Sequence, residues 1–369
     1  MENLVFSNML HRPARTIVSV LGIAVGVLLI VFTVGLSNGT MRERAARDAN
    51  VGAEIFFRAG GSIGMNGGEA LNLSTTLKSE IEQIEGVQSA IAIGQNSVSA
   101  DDNNTGSRLI DGVNFDEYAS LAGLKIIEGR AITSADNEAI IDTGFQKQKK
   151  FKLGDKIKLW EREFTIVGTY EPAAGARVKI PLSVMQNQLG GEGKASAFLV
   201  KIKPELKGKE AEVAERLQSK FPNNQILLTS QLEELYMQGI PALNVFLNVI
   251  IGVAAVISAL VILLTMYTTV TERTRQIGIM KSLGMSNFQI ASTIAQEAVL
   301  ITFCGIVSGV LLTIILRFLL TKVTTLEVEI SPTVLAITTV VGLIGGVLGA
   351  LYPALKAARL DAVEALSYE

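Results

Sequence analysis

The sequence predicts a membrane protein with four transmembrane α-helices and an α+β extracytoplasmic domain inserted between the first and second helices. Three observations predict it. Four apolar stretches reach the roughly 20 residues that a helix needs to cross a bilayer. The mean hydropathy of +0.39 is too high for an ordinary soluble chain, yet 18% of the 369 residues are charged, more than spans alone would carry. Between the first and second stretches, at 37–238, long apolar runs give way to short alternating ones, the signature of a separately folded domain.

The first span, Thr16–Leu36, is uncharged throughout. It is too long for the apolar core of a cleavable leader and no small-x-small site follows it, so it reads as a signal anchor. The second lies in the uncharged stretch between Glu234 and Glu272, centred on Asn248–Val270; the third falls between Glu297 and Arg317, and the fourth between Glu329 and Lys356. Short basic flanks set orientation. His11, Arg12 and Arg15 precede span one; Arg273, Arg275 and Lys281 lie between spans two and three; Lys356 and Arg359 follow span four. All three groups fall on one side of a four-span layout, which places both termini in the cytoplasm and 37–238 outside. The loop Thr321–Ser331, with Lys322 against Glu327 and Glu329, suits the outer side. The divisions are 1–36 (N-terminus and span one), 37–238 (external domain), 239–355 (spans two to four) and 356–369 (cytoplasmic tail).

Within the external domain, Ala53–Arg58 reads as a strand, Thr76–Ile84 as a helix and Val87–Ala100 as one or two strands. The order repeats near its far end with strand Ala197–Lys203, helix Lys207–Lys220 and strand Gln225–Leu228. Two separated β-α-β units of this kind predict a split ferredoxin-like layer. The insert between them, about 105–195, is β-rich. Arg108–Val113, Glu138–Ile141, Lys156–Trp160 and Glu163–Tyr170 read as strands, with turns at Gly154-Asp155 and Glu161-Arg162. Phe115–Leu121, Gly144–Lys150 and Pro181–Leu189 read as helices, and the whole as two nested subdomains rather than one continuous sheet.

Composition excludes several chemistries. One cysteine, Cys304, inside span three, and one histidine, His11, rule out a disulfide within the external domain, a zinc site and Cys–His catalysis. A net charge of −2 gives no basic field for nucleic acid. Gly190-Gly191-Glu192-Gly193-Lys194-Ala195 lacks the spacing and the hydroxyl of a phosphate-binding loop, so no ATP site is expected here. Ala59–Gly68 reads as a glycine-rich loop, and Asp101–Gly106 as a hairpin turn, because Gly112 stands where a calcium loop needs its closing glutamate. Paired acids or a His-Glu motif for intramembrane proteolysis are missing from the spans. No catalytic, cofactor-binding or metal residue is therefore assigned.

Two features remain. Glu297 is a carboxylate near a span interior, either a functional acid or an interfacial partner of a base such as Arg273. The segment 271–288 is short and amphipathic between two spans: Ile277, Ile279, Met280 and Leu283 are expected to share one face, with Glu272, Arg275 and Ser282 on the other. It suits either lipid headgroups or a docking partner.

Thr-Glu-Arg-Thr-Arg-Gln-Ile-Gly-Ile-Met-Lys-Ser-Leu-Gly-Met, 271–285, resembles the E-R-T-R-E-I-G-I-R-K-A-L-G-A segment of the FtsX-like, or MacB-like, ABC transporter permeases of the type VII superfamily. The opening Asn8–Val27 and the closing Tyr352–Leu366 are similar to the same family, as are Glu138–Asp142, Leu153–Asp155 and Phe164–Tyr170, so the resemblance spans the whole chain. Gln276 stands where the family has an acid, Met280 where it has a base and Ala362 where proline is common. The resemblance implies that 271–288 is a coupling helix docking into a separate ATPase chain, which would carry the ATP and Mg. Glu272, Arg273, Arg275, Gln276, Ile279, Lys281, Leu283 and Gly284 would be the coupling residues. It further implies a bacterial inner-membrane permease, not itself an enzyme, that pairs with a second copy and relays ATP-driven motion to its external domain. Efflux with a periplasmic membrane-fusion adaptor is the expected variant. A lipoprotein-releasing permease and a regulator of a cell-wall hydrolase are the alternatives.

Overall fold

The computed structural model describes residues 13–60, 71–99, 107–133, 137–238, 241–323, 326 and 328–360. His11 and Arg12, most of the Ala59–Gly68 loop, the Asp101–Gly106 turn, Glu327 and the terminal Asp361–Leu366 lie outside the described residues. The chain divides into two units, Thr40–Ile240 and the remainder on either side of it. A 37-residue helix, α1 (Pro13–Ala49), opens the described chain.

The sheet unit then runs β1 (Ile55–Ala59), β2 (Leu73–Ser74), α2 (Leu77–Glu82), β3 (Val87–Ser99), β4 (Ser107–Val113), α3 (Phe115–Ala122), β5 (Lys125–Gly129), β6 (Glu138–Asp142) and α4 (Thr143–Lys149). It continues through β7 (Lys156–Leu159), β8 (Arg162–Glu171), β9 (Val178–Pro181), α5 (Leu182–Leu189), β10 (Lys194–Ala195), β11 (Ala197–Ile202), α6 (Glu210–Lys220), β12 (Asn224–Leu228) and α7 (Leu232–Gln238). The strand order is β12-β1-β11-β3-β4-β9-β6-β8-β5, with β7 beside β8; β2 and β10 form a separate pair. Its first four strands are all antiparallel, and with α2 and α6 they complete the two interleaved β-α-β units of a ferredoxin-like layer.

The insert is not a separate nested body, as the sequence suggested. β3 has 13 residues, long enough at about 3.4 Å each to serve two partners in succession. Its Val87–Ile93 half pairs with β11 and its Gly94–Ser99 half with β4, so one sheet crosses both regions. At the handover Gly94 lies opposite Gly112, and a Cβ on either would fall within 3 Å of the Met185 sulfur of α5.

Other departures have local causes. The β7–β8 hairpin turns on Trp160-Glu161, one residue earlier than expected, both at positive φ (47° and 67°) as a two-residue primed turn requires. β9 is buried at every position and runs parallel to β4, so it shows no alternation; Pro181 ends it, and α5 begins at Leu182. β5 is exposed at nearly every position and was equally silent.

Ile55, Phe57, Phe198, Val213 and Leu217 pack between the ferredoxin-like sheet and its helices, while Phe56, Ile91, Leu199 and Tyr118 fill the opposite face. Ile110, Ile141, Phe164 and Ile166 form the core of the insert. Lys179, fully buried, lies at the centre of the unit. Its ammonium meets Asp111 at 3.0 Å, donates to the Ala174 and Ala176 carbonyls, and faces the Tyr118 and Tyr170 rings. Burial opposes ionisation of Asp111, but Lys179 and the Ala176 N–H outweigh it and hold the carboxyl below its ordinary range. Burial likewise keeps the Tyr118 and Tyr170 hydroxyls protonated far into alkali. The last turns of α1 belong to this unit: Arg47 bonds Asp142 and the Gly175 carbonyl, Glu43 meets Arg177, and Tyr236 of α7 donates to Asp48.

The second unit is a bundle of α1, α8 (Pro241–Glu272), α10 (Asn287–Val323) and α11 (Pro332–Ala358), with the short α9 (Thr274–Ser282) between α8 and α10. The four long helices are those apolar enough to cross a membrane. Small residues spaced by four let them approach closely, as in membrane helix pairs generally. Gly22 and Gly26 of α1 face Val261 and Ser258 of α8; Gly305 and Gly309 of α10 face Ile23 and Val27 of α1; Gly349 of α11 faces the Ala259 carbonyl of α8. Ile23, Val27, Ile262, Met266, Ala298, Ile301 and Ala350 fill the interior.

Candidate functional site

The expected coupling segment is shaped by the chain on either side of it. Towards the end of α8, the hydroxyls of Thr269, Thr271 and Thr274 bond carbonyls four residues back, a pattern that competes with the helical ladder. At Arg273 the backbone leaves helical geometry (φ −109°, ψ 18°) and α9 begins afresh. α9 ends in a Schellman motif: Met285 N–H bonds the Met280 carbonyl, Gly284 N–H bonds that of Lys281, and Gly284 takes the left-handed φ of 93°. A reciprocal capping box follows at once. Ser286 Oγ accepts from Gln289 N–H, and Gln289 Oε1 from Ser286 N–H, opening α10.

The faces of α9 differ from the sequence expectation. At 100° per residue, Ile279 lies about 200° round the helix from Ile277, so the two cannot share a face. Ile277 is buried and Met280 packs beside it against the bundle. Ile279 (44% exposed) and Leu283 (80%) turn outward with Arg275 and Gln276, making a stripe at i, i+4 and i+8 from Arg275. Phe288, 82% exposed in the first turn of α10, is a further apolar residue that sequence reasoning missed.

Three of the charged members are paired with the long helices. Glu272 pairs with Arg15 of α1 at 2.9 Å, and Arg273 meets Glu297 of α10 at 3.6 Å. Glu297 is 4% exposed. Lys281 Nζ donates to the Ala358 and Leu360 carbonyls at 2.9 and 2.7 Å, reaching the end of α11. Of the expected coupling residues, Arg275, Gln276, Ile279 and Leu283 therefore form an outward surface. Glu272, Arg273 and Lys281 tie α9 and its start to three long helices, and Gly284 makes the turn. Among the described residues no group of three or more His, Cys, Asp or Glu could hold a metal.

Residues 16–219, more than half of the chain, match the MacB-like periplasmic core domain, and residues 248–362 match the FtsX-like permease C-terminal domain. The chain belongs to the MacB/FtsX-like family of ABC transporter permeases. It is 27% identical over 397 residues to the ABC transporter permease YknZ of Bacillus subtilis, covering 100% of this chain and 99% of that one. It is also 27% identical over 397 residues to the macrolide export ATP-binding/permease protein MacB of Campylobacter jejuni, covering 99% of this chain. There the match takes in 61% of the relative, so this chain spans about three-fifths of that protein's length. The periplasmic region of MacB from Actinobacillus actinomycetemcomitans is 18% identical and covers 51% of this chain and 95% of its own, with a TM-score of 0.38. The two matched domains are permease regions, and membership of an ABC permease family implies an ATPase as partner. With four long apolar helices, the chain is a multi-pass bacterial membrane protein.

Proposed function

We propose that this chain is the permease of a MacB-like export system of the bacterial inner membrane, and that α9 is the helix through which a separate ATPase drives it. The outward stripe of Arg275, Ile279 and Leu283, with Phe288 also exposed at the start of α10, carries the reading: apolar side chains beside polar ones on a short helix between two spans fit a groove on a soluble partner. The ion pair of Arg15 with Glu272 and the reach of Lys281 to Leu360 gather basic residues at one end of the bundle, which supports both termini and 271–288 being cytoplasmic. In the bundle the buried polar groups are hydroxyls such as Ser19, Ser258, Thr302 and Thr313, with Glu297 the one buried carboxylate among its described residues. That interior suits motion relayed to the sheet unit better than a path for hydrophilic cargo. A second copy of the chain and a membrane-fusion adaptor complete the assembly, and the relatives named for macrolide export support export as its task.

Full-length protein captured from its native membrane in mild detergent tests this. The wild type should bring down an ATPase and a hairpin-bearing adaptor, and Arg275→Glu with Leu283→Asp should lower ATPase recovery by about tenfold or more, as loss of a central contact does. Undiminished recovery in the double variant removes α9 from the docking role. Lipoproteins or a cell-wall hydrolase in place of the adaptor remove the export reading.

A further inference from the structure

We propose that Lys281 is a positioning residue whose ammonium locks α9 to the end of α11, so that force received on the outward stripe of α9 passes directly into that span. The inference rests on the reading of α9 as the coupling helix, and it reassigns a residue that the sequence placed on the docking surface.

Three observations carry it. The first is direction. Lys281 lies about 40° round α9 from the buried Ile277 and roughly 160° from Ile279 at 100° per residue, so its stem leaves the helix on the bundle side. The second is chemistry. The last carbonyls of a helix have no intrahelical donor and sit at the negative end of its dipole. Lys281 supplies a charged donor to two carbonyls there, at 2.9 Å on Ala358 and 2.7 Å on Leu360. Charge-assisted bonds of this length are among the stronger ties open to a partly exposed side chain. The third is surroundings. Ala357 and Ala358 are buried, and Leu360 packs with Met280 and Met285 against the bundle core, so the carbonyls are held by a rigid base.

The other end of α9 is tied differently, by the ion pair of Arg273 with Glu297 on α10 at 3.6 Å. The helix is thus strapped at its start to one span and at its finish to another, while its free side carries the apolar stripe. An ATPase bound to that stripe would move α10 and α11 without gripping a single charge of either strap. An arginine at 281 keeps a cation within reach of the carbonyls; methionine keeps the stem and loses the donor.

The test uses the full chain in lipid nanodiscs on a Cys304→Ser background, with spin labels at Gln276→Cys on α9 and Leu355→Cys on α11. Lys281→Met should broaden the distance distribution between the labels by about two-fold or more, reporting released motion, and Lys281→Arg should restore the narrow one. A distribution in Lys281→Met as narrow as the wild type's overturns the proposal. If Lys281→Met does not accumulate in the membrane, Lys281→Leu, which also lacks a donor, is read by the same criterion. ATPase capture separates this result from the underlying reading: recovery with Arg275→Glu and Leu283→Asp intact sinks the coupling role of α9, whereas the label distances still judge the lock. Loss of capture in Lys281→Met with no change in distances makes Lys281 a docking contact and overturns the proposal.

Discussion

In the sheet unit a lysine with no exposed surface is paired with Asp111 and ringed by carbonyls and tyrosines; in the bundle most of the described charges gather around Arg15, Arg273 and Lys281, and the helices are closed together by glycine against backbone and side chain. The contrast follows from what surrounds each unit. A sheet unit in water can bury an ion pair if every remaining hydrogen-bonding position is met, and gains a uniquely specified centre by it. A bundle in lipid has no hydrophobic driving force between helices and depends on close approach. A buried, fully bonded ion pair therefore marks the one unit, and small residues at the helix crossings mark the other.

The largest effect that could break this comparison is at Lys179. Lys179→Met strands the Asp111 charge in the interior and should cost about 3–5 kcal/mol, while Lys179→Met with Asp111→Asn should recover more than half. Trp160, the one tryptophan of the chain, lies in this unit with its Nε1 on Asn96, so its fluorescence through a denaturant titration reports the loss. A single variant as stable as wild type would demote the ion pair to an ornament of the core. Next is Gly349→Val. A Cβ there would stand 2.4 Å from the Ala259 carbonyl oxygen, so α8 and α11 must separate, at about 1–3 kcal/mol. Unfolding of the bundle in graded detergent should register it with the Trp160 transition unmoved; a shared shift would show that the two units do not respond separately.

A smaller effect sharpens the comparison at the junction between α9 and α10. Ser286→Ala removes one side of the capping box and should cost about 1 kcal/mol, seen as faster amide exchange confined to the first turn of α10. The smallest belongs to the surface. Hydrogen bonds from Arg130, with help from Thr133, hold the Glu138 carboxyl at about 2 against an ordinary 4.5. A carboxyl depressed in the folded state adds stability that is complete above its unfolded value and is lost as the pH falls through the folded one. The difference between wild type and Glu138→Gln should thus be constant above about pH 5, shrink below it and be lost as the pH falls through about 2. A difference as large at pH 2 as at pH 5 would show that the pair acts through shape and not charge.

How much of this was legible depended on whether the partner was a side chain or a backbone. The spans and the two β-α-β units are written in side-chain identity, and the ferredoxin-like order follows from them. The lock of Lys281 was not legible, because its partners are carbonyls, which every residue carries. The inward turn of Ile277 and Met280 and the outward turn of Ile279 and Leu283 were open to helical arithmetic, but four apolar residues in seven invite grouping by kind and not by angle. The Trp160-Glu161 turn hid because bulky residues at positive φ lack the glycine or asparagine signal. β9 and β5 hid for opposite reasons: one is buried throughout and the other exposed at all but Ile126, and neither alternates.

The shared strand β3 carries a consequence for anyone who would rebuild this molecule. Because its first half is hydrogen-bonded to the ferredoxin-like layer and its second to the insert, no cut in the loops frees one region from the other. A chimera that imports a relative's insert must cross over inside β3, near Ile93 and Gly94, and carry the facing Gly112 and Met185 with it. A graft made at the sequence boundaries of about 105 and 195 would leave Gly94–Ser99 of one parent seeking a neighbour built for another.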